Sequence, residues 1–178
     1  MSKLTIPVST QDHLQGDPHA ACSLVEYGDY ECPSCGEVQP IIQSLQRHFG
    51  NQMSFVFRNF PLREIHPWAE AAAEVAELAG SQGKFWEMHN LLFQHQEDLS
   101  EGGLQQLVSR MGLSEKKMQQ ASMNGMLRKK IEADLAGGIR SGVNGTPTFF
   151  LNGDRCDGPT DFNSLASLMD QVLVSNGD

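Results

Sequence analysis

Four residues, Cys32-Pro33-Ser34-Cys35, stand between a short apolar run and an amphipathic one, and no other feature constrains the chain as much. The run before them, Ser23-Leu-Val-Glu-Tyr-Gly28, reads as a buried strand. Pro33 suits the first turn of a helix, where its missing N–H costs nothing. Val38, Ile41, Ile42, Leu45 and Phe49 then recur at helical spacing, with Gln43, Gln46 and Arg47 on the other side and Gly50-Asn51 as the stop. Met53-Ser-Phe-Val-Phe-Arg58 reads as a second strand. One helix between two strands makes a crossover, so the strands pair in parallel and the chain is of the α/β class.

The flanking regions fit around this unit. Leu4, Ile6 and Val8 alternate with polar residues and predict a short strand, and Gly16-Asp17-Pro18 predicts a turn. From Ile65 to Arg140 the pattern is helical, four or five helices punctuated by Gly80, Gly83, Gly102 and Gly112, with Leu113-Ser114 to Met118 as a capped start. After Gly142, Thr148-Phe-Phe-Leu151, a turn at Asn152-Gly153 and a segment around Cys156 predict a β-hairpin. Thr160 or Asp161 caps a last helix whose Phe162, Leu165, Leu168, Met169 and Val172 face inward.

Composition narrows the function. At 178 residues with 39% hydrophobic and 20% charged, the chain suits one globular domain. Its net charge of −9 has the wrong sign for neutralising phosphates, so nucleic acid is not an expected partner. The N-terminus lacks a long apolar run, and nothing approaches the roughly 18 apolar residues of a membrane span, so no membrane insertion is expected. A cytosolic location follows for the chain as it stands, and a periplasmic one had a signal peptide been removed.

A cysteine at a strand-to-helix junction meets unsatisfied N–H groups and the positive end of the helix dipole, both of which favour a thiolate. Cys32 is therefore the expected nucleophile. Cys35, one turn on and further inside, can attack a mixed disulfide and release the substrate. The pair could instead be half of a zinc site, but no second Cys-x-x-Cys or His-x-x-x-His completes one, so no metal is expected. Thr146-Pro147 precedes the hairpin, and taken alone it reads as an ordinary trans loop proline. Cys22 and Cys156 are placed near one end of two strands separated by a third, about 9–10 Å apart and beyond the roughly 7 Å limit for bridging, so both read as free thiols. His66, His89, Trp68 and Trp86 read as packing for the helical layer.

Taken in order, Val25-Glu-Tyr-Gly-Asp-Tyr-Glu-Cys-Pro-Ser-Cys-Gly36, Phe57-Arg-Asn-Phe-Pro61 with His66-Pro67, and Gly142-Val-Asn-Gly-Thr-Pro-Thr-Phe-Phe150 are similar to the DsbA-like branch of the thioredoxin superfamily. The resemblance runs from about Gly16 to the end. It implies a thioredoxin-like fold with a central mixed sheet, its halves at 20–62 and 142–178 and a helical insertion at 63–141, all one domain. It reverses the reading of Pro147, which it makes cis and sets against the dithiol. Pro40 matches the kinking proline of the thioredoxin helix, with Gly36 placed where its ring would crowd the backbone. Glu26 takes the place of the family's buried acid, whose raised pKa would let it exchange protons with Cys35.

The reaction expected is dithiol-disulfide exchange on protein or peptide thiols, with Cys32, Cys35 and Glu26 catalytic and Pro33, Ser34, Thr146 and Pro147 contacting substrate. No cofactor is expected beyond the Cys32–Cys35 disulfide, with glutathione a conceivable co-substrate, a redox recycling partner required, and a monomer the expected state. A glutathione-linked isomerase of small molecules and a non-catalytic peptide-binding or chaperone module are the rival readings. Retention of both cysteines argues against the first. Ser34 departs from DsbA, which carries histidine there. With Asp29 and Glu31 nearby opposing a thiolate, the expected Cys32 pKa is roughly 5.5–7.5.

Overall fold

β-Branched and aromatic residues in the two apolar runs become the centre of the sheet. In the computed structural model, which describes residues 2–175, β2 (Cys22–Gly28) and β3 (Met53–Asn59) pair in parallel, joined by α1 (Pro33–Phe49) and a short 3₁₀ turn. Between β3 and the hairpin come α2 (Ala69–Ser81), α3 (Phe85–Gln94), α4 (Glu101–Arg110), α5 (Glu115–Met123) and α6 (Met126–Arg140). The hairpin is β4 (Thr148–Leu151) and β5 (Asp154–Cys156), turned by Asn152 and Gly153, both at positive φ, and α7 (Phe162–Ser175) follows. Asp161 caps α7, its carboxylate accepting from the Ser164 N–H at 3.1 Å and hydroxyl at 2.7 Å.

The N-terminal reading needs correction. Leu4, Ile6 and Val8 form no strand, only a bridge between Lys3 and Asp154. Pro7 has no N–H for a ladder, and the carbonyls of Ile6 and Pro7 are taken by the buried Arg58 guanidinium, which also grips Asp12 and the Tyr27 hydroxyl. The first strand is instead β1 (His13–Gly16), antiparallel to β3, and the turn begins at Asp17. The sheet order is β1-β3-β2-β4-β5, mixed in direction.

Alternation along the strands divides the core. Leu24, Phe55, Phe57, Phe149 and Leu151 join Val38, Ile42 and Leu45 of α1 and Leu165 and Met169 of α7. On the other face Val25, Tyr27, Val56 and Phe150 pack with Phe60, Leu135 of α6 and the N-terminal segment. The helical layer is tied to the sheet at Asn59, whose side chain donates to Glu77 of α2 (2.8 Å) and Asp134 of α6 (3.2 Å).

Helix α6 approaches the sheet through Gly138, where an added Cβ would lie 2.8 Å from the Phe60 ring and 3.0 Å from that of Tyr27. Gly138→Ala is expected to lower stability by about 1–3 kcal/mol through overpacking, despite alanine's better helix propensity. Gly102→Ala, where the nearest atom lies 4.0 Å away, should cause no loss. Urea unfolding of the two variants measures the contrast, and equal midpoints would refute the close-approach account.

Candidate active site

The two cysteines of the Cys-Pro-Ser-Cys turn receive different environments from the same helix start. Cys32 is the N-cap residue of α1, in extended conformation, with Pro33 opening the helix. It retains 7% exposure, whereas Cys35, one turn inside, has none. Both are free thiols, as are Cys22 and Cys156. The Thr146–Pro147 peptide bond is cis, and the Thr146 carbonyl lies 3.5 Å from Cys32 Sγ. Ser34, Pro147 and Thr146 line a groove of about 450 Å³ with Glu37, Val38, Ile41, Thr160 and Asp161.

These positions polarise the sulfurs in opposite senses. The Cys32 thiol is pulled down to about 5, chiefly by the Cys35 thiol donating to it; burial opposes this, while Thr146 and the N–H groups of Cys35 and Ser34 assist. Cys35 is pushed strongly upward, first by burial, then by the hydrogen bond its thiol donates to Cys32 and by the Glu26 charge. Glu26, fully buried, is raised to about 8 by burial, with Gln39 opposing and Cys32 adding to the rise.

The value near 5 lies below the range expected from sequence, first because the Cys35 thiol donates to Cys32, a bond that sequence spacing did not weigh, and the two acids have partners of their own. Asp29 accepts from the Glu31 N–H (2.8 Å) and Leu62 N–H (2.9 Å) and meets His66 Nδ1 at 2.8 Å. Glu31 accepts from the Trp68 N–H at 2.7 Å. Both carboxylates accept hydrogen bonds from the loop before α2. His66 therefore anchors the turn ahead of the dithiol, beyond the packing role expected for it.

Three further residues shape the site without having been assigned to it. Gln96 donates to the carbonyls of Tyr30 (2.8 Å) and Cys32 (2.9 Å), and a Cβ on Gly36 would fall 2.1 Å from its side-chain oxygen. The Gln96 amide, more than the Pro40 ring, is thus what Gly36 accommodates. Gln39 donates to Glu26 (3.3 and 3.5 Å) and to the Cys35 carbonyl (3.0 Å), and His89 meets its oxygen at 3.0 Å. A polar residue four after Cys35, on the helix face carrying Val38 and Ile42, was a signal of this; Gln96 and His89 carried none.

The placement of Cys22 and Cys156 is also corrected. Cys156 pairs with Phe149, which pairs with Glu26, four residues along β2 from Cys22. With two strand spacings across, that separates them by roughly 16 Å, so they do not share an end of the sheet. Among the described residues no His, Cys, Asp and Glu cluster could hold a metal, and no helix is long and apolar enough to cross a membrane.

A family model described as thioredoxin matches residues 8–171. Over 174 residues the chain is 41% identical to a Na(+)/H(+) antiporter, NhaA 1, of Salinispora arenicola, a match covering 96% of this chain and 26% of that protein. The chain thus spans about a quarter of the length of the curated relatives it matches. Among solved structures, oxidised BdbD from Bacillus subtilis superimposes with a TM-score of 0.82 at 21% identity, covering 97% of this chain and 98% of that one. The thiol-disulfide exchange protein alpha-DsbA2 from Wolbachia pipientis does so with a TM-score of 0.79 at 20% identity, covering 92% and 88%. At these identities the likeness is one of fold, and the fold is of the DsbA type.

Proposed function

Since the chain belongs to the thioredoxin family, we propose that it is a thiol-disulfide oxidoreductase that exchanges disulfides with protein or peptide thiols through Cys32 and Cys35. One observation carries the reading: a cysteine at the helix start that keeps 7% exposure beside a groove, its thiol pulled down to about 5, backed one turn inside by a fully buried cysteine whose thiol is pushed upward. In reduction, the Cys32 thiolate attacks a substrate disulfide and expels one thiolate. Cys35 then passes its proton to the ionised form of Glu26 and attacks the Cys32 sulfur, breaking the mixed disulfide, so the enzyme is oxidised and the substrate leaves as two thiolates that take up protons from solvent. In oxidation the steps reverse, and Cys35 is the leaving group that must take up a proton. Glu26, raised to about 8, is protonated at neutral pH and suited to supply it.

Direction follows the redox poise of the compartment. The cytosolic placement expected from the N-terminus gains no support from the similarities found. The antiporter relatives carry their matching stretch as a quarter of a longer chain, which supports a portable unit working alone or beside other domains. A separate redox partner would recycle it.

Insulin reduction tests the reading. The wild type should catalyse it and Cys32→Ser should not, while both should keep the fold. Equal rates in the two would leave a peptide-binding module as the better account.

A further inference from the structure

A buried chain of side chains runs from Glu26 away from the dithiol and ends on residues that the exchange reaction does not use. Glu26 lies in β2 between Phe57 and Phe149, its neighbours in β3 and β4, and no basic side chain pairs with it among the described residues. From α1 it faces Gln39 and Cys35, with Cys32 at the helix start. Its hydrogen-bond donor is the Gln39 amide, at 3.3 and 3.5 Å. Beyond Gln39 comes His89 of α3, Nε2 at 3.0 Å from Gln39 Oε1, and then the Tyr30 hydroxyl, 3.0 Å from His89 Nδ1.

Donor and acceptor capacity gives this chain one direction. Gln39 Nε2 also donates to the Cys35 carbonyl, so the amide nitrogen lies between two acceptors and its oxygen must point to His89. A flipped amide would set its oxygen against both the carboxylate and the carbonyl. His89 is 2% exposed, ringed by Tyr30, Phe57, Phe85, Trp86 and Phe93, and burial with His13 nearby depresses it to about 3, so the ring is neutral with one N–H. That proton lies on Nε2, directed at Gln39, and Nδ1 accepts from Tyr30. Glu77 and Asp134 lie beyond Tyr30; together with burial and Glu26 they hold its hydroxyl in the protonated, donating form.

We propose that Gln39 and His89 are positioning residues for the exchange reaction: His89 locks the Gln39 amide with its N–H toward Glu26, and that donor sets the proton affinity of the carboxyl that serves Cys35. The proposal rests on the exchange reaction inferred above. The step it governs is the transfer of one proton between the Glu26 carboxyl and the Cys35 sulfur as the Cys32–Cys35 bond forms or breaks. With the donor removed, the buried carboxylate loses its one offset to desolvation and holds its proton to higher pH.

The test reads Glu26 directly. In reduced protein labelled with ¹³C at glutamate side-chain carboxyls, the Glu26 resonance, identified by its loss in Glu26→Gln, is titrated in wild type, Gln39→Leu and His89→Leu. Loss of a hydrogen bond to a charged group predicts an upward midpoint shift of about one to two pH units in Gln39→Leu. A smaller shift of the same sign is expected in His89→Leu, where the amide remains but turns freely. His89→Gln, which keeps a donor, should return toward wild type. The midpoint of the Cys32 thiolate absorbance, near 5, should stay where it is, because Glu26, raised to about 8, is already protonated at that pH. A fold-destabilising role would lower the melting temperature without moving the Glu26 midpoint. An unmoved midpoint in folded Gln39→Leu, or in folded His89→Leu, overturns the part given to that residue. The titration needs no substrate, so a wild type that fails to reduce insulin would sink the functional reading while leaving this result to stand or fall separately.

Discussion

The Cys35→Ala variant is expected to accumulate as mixed disulfides through Cys32, with turnover in insulin reduction falling roughly a hundredfold or more. The attacking sulfur keeps its place at the helix start and its groove, so the first exchange proceeds. What disappears is the Cys35 hydrogen bond that does most to lower the Cys32 thiol, which slows the first exchange, and an intramolecular second step, replaced by attack from dilute external thiol. Well-placed intramolecular groups act at effective concentrations of about 10⁵ M and above, so even a poor alignment leaves a large deficit. Non-reducing electrophoresis followed by peptide mass mapping identifies the adduct. Cys22 is fully buried with its sulfur toward the Met169 carbonyl, and Cys156 is half-buried with its thiol pushed up by burial. Neither environment favours a thiolate, and adducts recovered on either one would overturn the assignment of Cys32.

How much of this site was visible in the sequence depends on whether the contact is local. The strand before Cys32, Pro33 at the helix start and the stop at Gly50 are set by neighbours within a turn or two, and the structure has them where the pattern puts them. The hairpin turn at Asn152-Gly153 belongs to the same class. The first strand was missed because four residues, His13–Gly16, are too few to show a period, while Leu4, Ile6 and Val8 showed one that Pro7 and Arg58 override.

Side-chain aim over long separations was not legible. Asp29 and Glu31 are near Cys32 in sequence, yet their oxygens are held by backbone N–H groups at Leu62 and Trp68, more than thirty residues on. Gln96 reaches the Cys32 carbonyl across 64 residues, and His89 reaches Gln39 across 50. Sequence spacing carries no trace of such bonds.

The dithiol chemistry makes the last prediction: Cys32 titrates near 5 in the reduced protein, read from thiolate absorbance near 240 nm. The consequence depends on which role the sulfur plays. As an attacking group at pH 6, it gains roughly 300-fold in thiolate fraction over a free cysteine of pKa about 8.5. A Brønsted slope of about 0.45 removes roughly 40-fold of that, because a less basic sulfur is a weaker nucleophile. The remaining advantage is about sevenfold at pH 6 and close to nil at pH 7. As a leaving group the same sulfur benefits from low basicity at every pH, and the reduced form is stabilised. The low value therefore favours giving a disulfide away over taking one, and the reduction potential should lie between about −270 mV for thioredoxin and −120 mV for DsbA. Histidine at position 34 should move both quantities toward the DsbA values, since a cationic ring beside the thiolate adds what the serine hydroxyl lacks. Equilibration with glutathione buffers gives the potential. A wild-type titration above about 7, or a Ser34→His variant that leaves both quantities unmoved, would show that the helix start and its central dipeptide do not control the poise.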